Sequence, residues 1–462
     1  MGDAATLRDL ANRASASREE RLGALSELAS SLSPGERAGE SNNHVHTIYS
    51  FSPYAPATAA LRCLEAGLEA AGSVDHDSIA AAPEMREACA ILGLGCVTGC
   101  ELRVSFKDGP FARRKINNPD SEGLVYMTIQ GVPAAGRAKL DAFIAPIRAR
   151  RLERTRMMAA AASGLLGRAG LGELDFESDV VSVSKAAEGG GVTERHLLAA
   201  VARKLVERFG RGPALVSGLE SALGVKSAPR LAALLSDPGN PTLVYDLLGV
   251  LKSGFLDRVF IQPDGIECPP AREAVAAALS VGAIPAYAYL GDVGESPTGD
   301  KKAEKFEDDF LGELFDELVT LGFPAVCYMP PRNSREQLAR VRALCAERGF
   351  LEISGVDINS PRQSFNCPEL RQPEFAHLRD ATWALVAHEA LSELEPRAGL
   401  LSSGNPLSSL PIPERVAAYA RAGRALDASR AGSEAARFDP ESRRPESAAT
   451  LAHDLLDGRF SR

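Results

Sequence analysis

The chain has 462 residues, 45% hydrophobic and 24% charged, with a formal net charge of −9. These values describe a globular protein with room for one large domain plus an insertion, or for two to three domains, and the acidic balance excludes a general nucleic-acid footprint. No apolar signal core and no 18-residue apolar run occur, and the eight cysteines stand singly without metal-site spacing, so a cytoplasmic protein with reduced thiols, neither exported nor membrane-spanning, is expected.

Residues 1–40 read as two helical pieces, an N-terminal cap with leucines at 22, 25, 28 and 32. From 41 to 133 the pattern alternates: a strand at 42–48, a helix at 56–70, a strand ending at Val74, a helix at 78–92, then strands at 95–104 and 123–131. Strand–helix alternation is the signature of parallel βαβ units. Between 134 and 252 the strand signal disappears. Helices are expected at Ala135–Leu165 (with Pro146 a kink), at Val192–Arg208 (with Thr193 as N-cap), and at 213–224, 227–236 and 241–252, making an all-helical insertion. Gly189–Gly191 reads as a flexible joint. Alternation returns over 253–396, with strands at Arg258–Gln262, Ala283–Leu290, Ala325–Met329 and Leu351–Val356, and helices at 270–281, 306–321 and 334–348. Residues 397–462, with helices near 412–436 and 446–458, read as a C-terminal appendage.

The chemistry concentrates at expected strand ends, where α/β barrels place active sites. His44 and His46 are two residues apart, so on a strand both imidazoles leave the same face. His76 lies between Asp75 and Asp77, and a carboxylate beside a ligating histidine fixes its tautomer. Glu101 ends an apolar strand, where an unpaired carboxylate is costly. Asp357 and Asn359 follow a strand and share a face. Arg148, Arg150, Arg151, Arg154 and Arg156 read as a solvated helix face, and His196, His377, His388 and His453 as structural. The segment 294–302 fails the phosphate-loop pattern because Asp300 interrupts it.

Taken together, these residues resemble the PHP superfamily, the polymerase and histidinol phosphatase metal-dependent hydrolases. Its HxHT motif is His44–Thr47, its second motif Asp75–Asp77, its strand-end glutamate Gly99–Glu101, and its final D-x-H is Asp357–Asn359. The resemblance covers residues 41–365. It implies an α/β fold, a distorted TIM-like (β/α)7 barrel carrying the helical insertion. It implies a phosphoesterase that uses a metal-activated water on a small phosphorylated metabolite or nucleotide. The implied ligands are His44, His46, His76, Glu101 and Asp357, holding one or two divalent ions; donors without thiolate suit zinc, manganese or iron. Glu101, Asp77 and His196 are then the catalytic groups, and Arg195, Tyr126, Tyr287, Asn359 and Arg362 the substrate contacts. Three family histidines are replaced: Tyr126 stands on the fourth strand, Tyr287 where Ala-His-Pro is usual, and Asn359 closes the last motif. A three-metal cluster is therefore not expected, and the alternative is a degenerate barrel that binds a metal or phosphorylated ligand without turnover. No nucleic-acid or membrane partner is expected, and the sequence leaves the oligomeric state open.

Overall fold

The computed structural model describes residues 3–32, 37–292 and 306–431. The segment 294–302, His453 and the helix expected at 446–458 lie outside them. Seven strands form one sheet in chain order. β1 (Ser41–Val45), β2 (Ala70–His76) and β3 (Gly95–Ser105) run parallel. β4 (Leu124–Gln130) is antiparallel to both neighbours, and β5 (Ile284–Tyr289), β6 (Ala325–Tyr328) and β7 (Leu351–Ser354) run parallel again. β4 is reversed because no crossover helix stands between it and β3, and a parallel pair needs one.

The sheet curls but does not close into a barrel. Its margins meet at one bridge, Val45 to Ile358, where the His46 N–H donates to the Ile358 carbonyl (2.9 Å) and the Ile358 N–H to the His44 carbonyl (3.0 Å). The outer face is covered by helices. Cys100, Leu102 and Val104 of β3, Val125, Met127 and Ile129 of β4, and Tyr287 and Tyr289 of β5 share one core with α10 (Ala271–Ser280), α11 (Leu311–Leu321) and α12 (Arg335–Arg348). α1 (Ala4–Asn12), α2 (Arg18–Ser31), α3 (Pro56–Glu65) and α4 (Ala82–Leu92) cover the β1–β2 side.

The other face packs Val97, Ala286, Cys327 and Ile353 against α13 (Ala376–Leu394). This 19-residue helix is absent from the sequence reading. Residues 381–389 are all buried, so it carries no single apolar stripe to betray it. It plugs the N-terminal ends of the strands. Thr382 bonds Ser41 (3.0 Å) and Asn43 (2.9 Å), Glu389 accepts the Thr98 hydroxyl (3.1 Å), and Trp383 abuts Gly95. α14 (Ile412–Ala431) lies on its far side.

Between β4 and β5 stand α5 (Ala134–Arg168, with Pro146 inside), α6 (Glu194–Phe209), α7 (Pro213–Leu223), α8 (Pro229–Ser236) and α9 (Leu243–Gly254). Leu197, Leu205, Leu219, Leu247 and Leu251 give this segment its own core. Two expectations fail here. Arg258–Gln262 is no strand: a short turn at 256–258 leads into an irregular segment whose Ile261 carbonyl accepts from Arg154 instead of a ladder partner. Gly189–Gly191 is no free joint either. Ser78 donates to the Gly189 carbonyl (2.7 Å), the Gly191 N–H donates to the Tyr49 carbonyl (2.8 Å), and a Cβ at Gly190 would lie 2.8 Å from that same oxygen. Glycine is needed there for close approach. Among the described residues, no helix is long and apolar enough to cross a membrane.

Candidate metal centre

β1 reaches the site through a bulge. Asn42 pairs with Ala71 but Val45 with Ser73, so β1 carries one extra residue. The Asn42 side chain holds it, accepting the His44 N–H (3.0 Å) and donating to the Val356 carbonyl (3.0 Å). As a result Asn43 turns down to α13 while His44 and His46 both face Glu101. Beyond the bulge, Gly355 lies so close that a Cβ on it would be 2.6 Å from His44 Cβ.

Five side chains from four places in the chain converge. His44 Nε2 lies 3.7 Å and His46 Nε2 3.9 Å from the Glu101 carboxylate, and His76 Nδ1 lies 2.9 Å from it. His46 Nε2 is 3.3 Å from Asp357 Oδ1. Two ligand sets result, His44–His46–Asp357 and His46–His76–Glu101, each with its donor atoms within 4.8 Å of one another. The Nε2 atoms of His44 and His46 are buried without a hydrogen-bond partner. Buried polar atoms are almost always satisfied, so two orphans aimed at one point fit ligand atoms. The donor set of imidazole nitrogen and carboxylate oxygen, without thiolate, fits a divalent ion.

A supporting layer orients these groups. Asp75 accepts from the Thr47 N–H (2.7 Å), the Thr47 hydroxyl (2.6 Å) and the Ser50 hydroxyl (2.6 Å), and Ser50 Oγ sits 3.3 Å from His46 Nδ1. The Ser50 proton is committed to Asp75, so Ser50 accepts from His46 Nδ1–H, which turns Nε2 toward the cluster. On the other flank, Asn359 Nδ2 donates to Asp357 Oδ1 (2.8 Å), and Arg195 donates to Asn359 Oδ1 (2.7 Å) and its carbonyl (2.8 Å).

Burial opposes charge on every histidine here. It lowers the pKa of His44 and His76, which are therefore neutral, the form that ligates. His46 is the exception: burial lowers it too, but the nearby Asp357 carboxylate and the charge of Glu101 outweigh that and raise it. Asp357 is correspondingly held below its usual range by His46. Burial raises Glu101.

Asp77 lies beside the cluster but serves another partner. Its backbone is left-handed (φ +53°), its N–H donates to the Glu101 carbonyl (2.9 Å), and its carboxylate accepts from Arg151 (2.6 Å). Arg151 also donates to Glu194 (2.5 Å), Arg154 to Glu194 and Glu267, and Arg103 to both glutamates. These arginines are buried, so the solvated-face expectation fails for Arg151 and Arg154. Their i, i+3 spacing puts both on the barrel-facing side of α5, while Arg150 and Arg156 pair at the surface with Asp264 and Glu177 (2.6 Å each).

Tyr126 alternates with the outward Val125 and Met127, and its ring centroid lies 5.9 Å from that of His76. Three expected site residues are not brought there. Tyr287 faces outward and donates to Glu307, because odd positions of β5 point to the helical layer. Arg362 is bound by Asp246 of α9 (2.7 and 2.8 Å). His196 accepts the Thr193 N–H at Nδ1 (3.0 Å) as part of the α6 cap, and its ring meets Phe51 edge-on at 4.9 Å. Burial takes its pKa down to about 3. Arg103, Glu194 and Glu267 were missed as neighbours of the site. Only Arg103 left a signal, two residues beyond Glu101 on the same strand face.

No protein-family model matches the chain, and no curated protein matches it significantly. Among solved structures it is similar to a protein of Bifidobacterium adolescentis provisionally designated a metal-dependent phosphoesterase: 19% identity, TM-score 0.47, covering 72% of this chain and 92% of that one. It is also similar to an amidohydrolase of Chromobacterium violaceum: 18% identity, TM-score 0.45, covering 73% of this chain and 95% of that one. At such identities and scores the likeness adds nothing to what the site's own geometry carries.

Proposed function

We propose that His44, His46, His76, Glu101 and Asp357 hold one or two divalent ions (zinc, manganese or iron) and that the chain hydrolyses a phosphoester of a small phosphorylated metabolite or nucleotide. The observation that carries this reading is the pair of orphaned buried Nε2 atoms facing two carboxylates. When bound, a divalent ion supplies Lewis acidity to a phosphoryl oxygen and makes water a nucleophile near neutral pH. Glu101 belongs between the two ligand sets, since its carboxylate approaches all three histidines. Tyr126 stands beside His76 with its pKa raised by burial, so its hydroxyl keeps its proton and would donate to a substrate oxygen. Asp77 keeps Arg151 in place rather than moving a proton.

One observation favours a second reading, binding without turnover. Arg103, Arg151, Arg154 and Arg362 all spend their charge on carboxylates, and Arg195 forks onto Asn359. Among the described residues, no arginine clamp of the kind common in phosphoryl transfer faces the site. The test is elemental analysis of the purified protein, followed by assays with manganese or zinc against p-nitrophenyl phosphate and a nucleotide panel. Turnover lost in His44→Ala supports the phosphoesterase. Metal-loaded protein that binds phosphorylated ligands by calorimetry and never turns them over moves the conclusion to the second reading. Protein that takes up no metal removes the phosphoesterase, and protein that also binds no phosphorylated ligand removes the second reading.

A further inference from the structure

We propose that Arg195 and Asn359 are positioning residues that tie the helical insertion to the metal ligand Asp357, so that docking of the insertion and metal binding are thermodynamically coupled. This rests on the metal-centre reading above and goes beyond it. The family resemblance implies that both residues contact substrate. The structure gives them other work. Asn359 donates to the Asp357 carboxylate oxygen that lies 3.3 Å from His46 Nε2, and Arg195 grips Asn359 at both its side-chain and main-chain oxygens. Gripping both leaves the carboxamide one orientation, with Nδ2 toward Asp357. Asp357 needs this support, since it follows β7 in an irregular segment and its side chain is 40% exposed.

The other end of the tie is equally defined. Arg195 is the second residue of α6, and that helix is fixed there on three sides. Thr193 and His196 form its cap, Glu194 enters the buried network of Arg103, Arg151 and Arg154, and Phe51 lies under the Arg195 guanidinium at 5.5 Å. Through Glu194 and Arg151 the same turn reaches Asp77, next to His76. One helical turn of the insertion thus braces both flanks of the cluster, β2 by way of Asp77 and the post-β7 segment by way of Asn359. Groups that orient a ligand change its affinity without touching the ion, and linkage makes the effect reciprocal: what tightens metal binding is tightened by it.

Metal affinity is measured by titration calorimetry with manganese and zinc, ligand geometry by the d–d absorption of the cobalt-loaded protein, and docking by hydrogen exchange across 194–254 with and without metal. Asn359→Ala and Arg195→Ala are expected to weaken metal binding by about 10- to 100-fold and to change the cobalt spectrum. Arg195→Lys, which keeps the charge but cannot fork, is expected between them and wild type. Metal is expected to slow exchange in α6 of wild type and not of Arg195→Ala. Arg362→Ala is the control for docking alone, because it cuts the Arg362–Asp246 pair, a second tie between insertion and barrel that touches no ligand. It is expected to speed exchange in α9, to leave the cobalt spectrum unchanged, and to weaken metal binding through looser docking by clearly less than Arg195→Ala does. The proposal is overturned if Arg195→Ala matches wild type in affinity and spectrum, or if Arg362→Ala loses as much. Wild-type protein that binds no metal overturns the metal-centre reading itself, and this inference with it.

Discussion

Gly355 and Ser50 each act on one of two candidate histidine ligands, His44 and His46. A Cβ at Gly355 would sit 2.6 Å from His44 Cβ and 3.0 Å from its backbone nitrogen, and neither can step aside without moving β1. Gly355→Ala is therefore expected to cost about 1–3 kcal/mol of stability and to weaken metal binding at least tenfold. Urea unfolding of the metal-free protein and a manganese titration check the two parts, and an unchanged affinity would mean that His44 is not a ligand. Ser50 works through tautomer choice. With its proton given to Asp75, it accepts His46 Nδ1–H and leaves Nε2 a lone pair. Ser50→Ala is expected to cost about 10-fold in metal affinity and only about 1 kcal/mol in stability. Ser50→Cys, a poorer acceptor, should behave like the alanine. Equal affinity in wild type and both variants would remove Ser50 from the supporting layer.

Helices and strands show which signals a sequence carries and which it does not. The i, i+2 histidines and the acids at strand ends were legible because a metal site would demand those residue types at those places. The seven strands were legible from alternation, although it also drew a strand at Arg258–Gln262 that the fold lacks, and α6 to α9 were legible through their apolar period. α13 was not, because a helix buried on all sides has no stripe. Nor was the fate of Arg151 and Arg154, since their charge is answered by Glu194 and Glu267, 40 and more residues away. The same blindness applies to His388, which read as a bland histidine, and to His196, which the resemblance placed among the catalytic groups; both serve as hydrogen-bond acceptors for backbone N–H groups. His196 Nδ1 takes the Thr193 N–H, and His388 Nδ1 takes the Leu400 N–H (2.9 Å) after α13. Burial holds them down to about 3 and about 4, against 6.5 for the exposed side chain. The unfolded chain thus binds protons at these sites that the folded chain refuses. Their stability contribution is complete above pH 6.5 and is lost as pH falls, toward 4 for His388 and toward 3 for His196, each group costing up to about 1.4 kcal/mol per pH unit over that window. Glu389, raised by burial to about 7, works the opposite way, costing stability as pH rises from 4.5. His388→Gln separates the two: its amide oxygen accepts at any pH. Its unfolding midpoint is expected to fall less than that of wild type between pH 7 and pH 5. Parallel curves would mean that His388 titrates alike in both states.

For the whole molecule the seam between β1 and Ile358 is the weak line. Six strand pairs have ladders; this junction has two hydrogen bonds. The candidate ligands lie across it, His44 and His46 on one side and Asp357 on the other, so an ion held by that set would close the sheet where its own backbone does not. Binding to the folded state alone stabilises by RT ln(1 + [L]/Kd), about 2.7 kcal/mol at a hundredfold excess over Kd. For a chain of this size that corresponds to a few degrees in Tm. Zinc or manganese is therefore expected to raise the Tm of chelator-treated protein, increasing with the logarithm of concentration above Kd. The gain should be absent in His44→Ala. Location matters more than size. If the ion spans the seam, amide exchange at His46 and Ile358 slows most, ahead of the α13 plug and the insertion core, whose own packing holds them without it. A Tm that rises while those two amides exchange as before would place the ion on the His46–His76–Glu101 side alone, and would leave the margins of the sheet joined by the Val45–Ile358 bridge only.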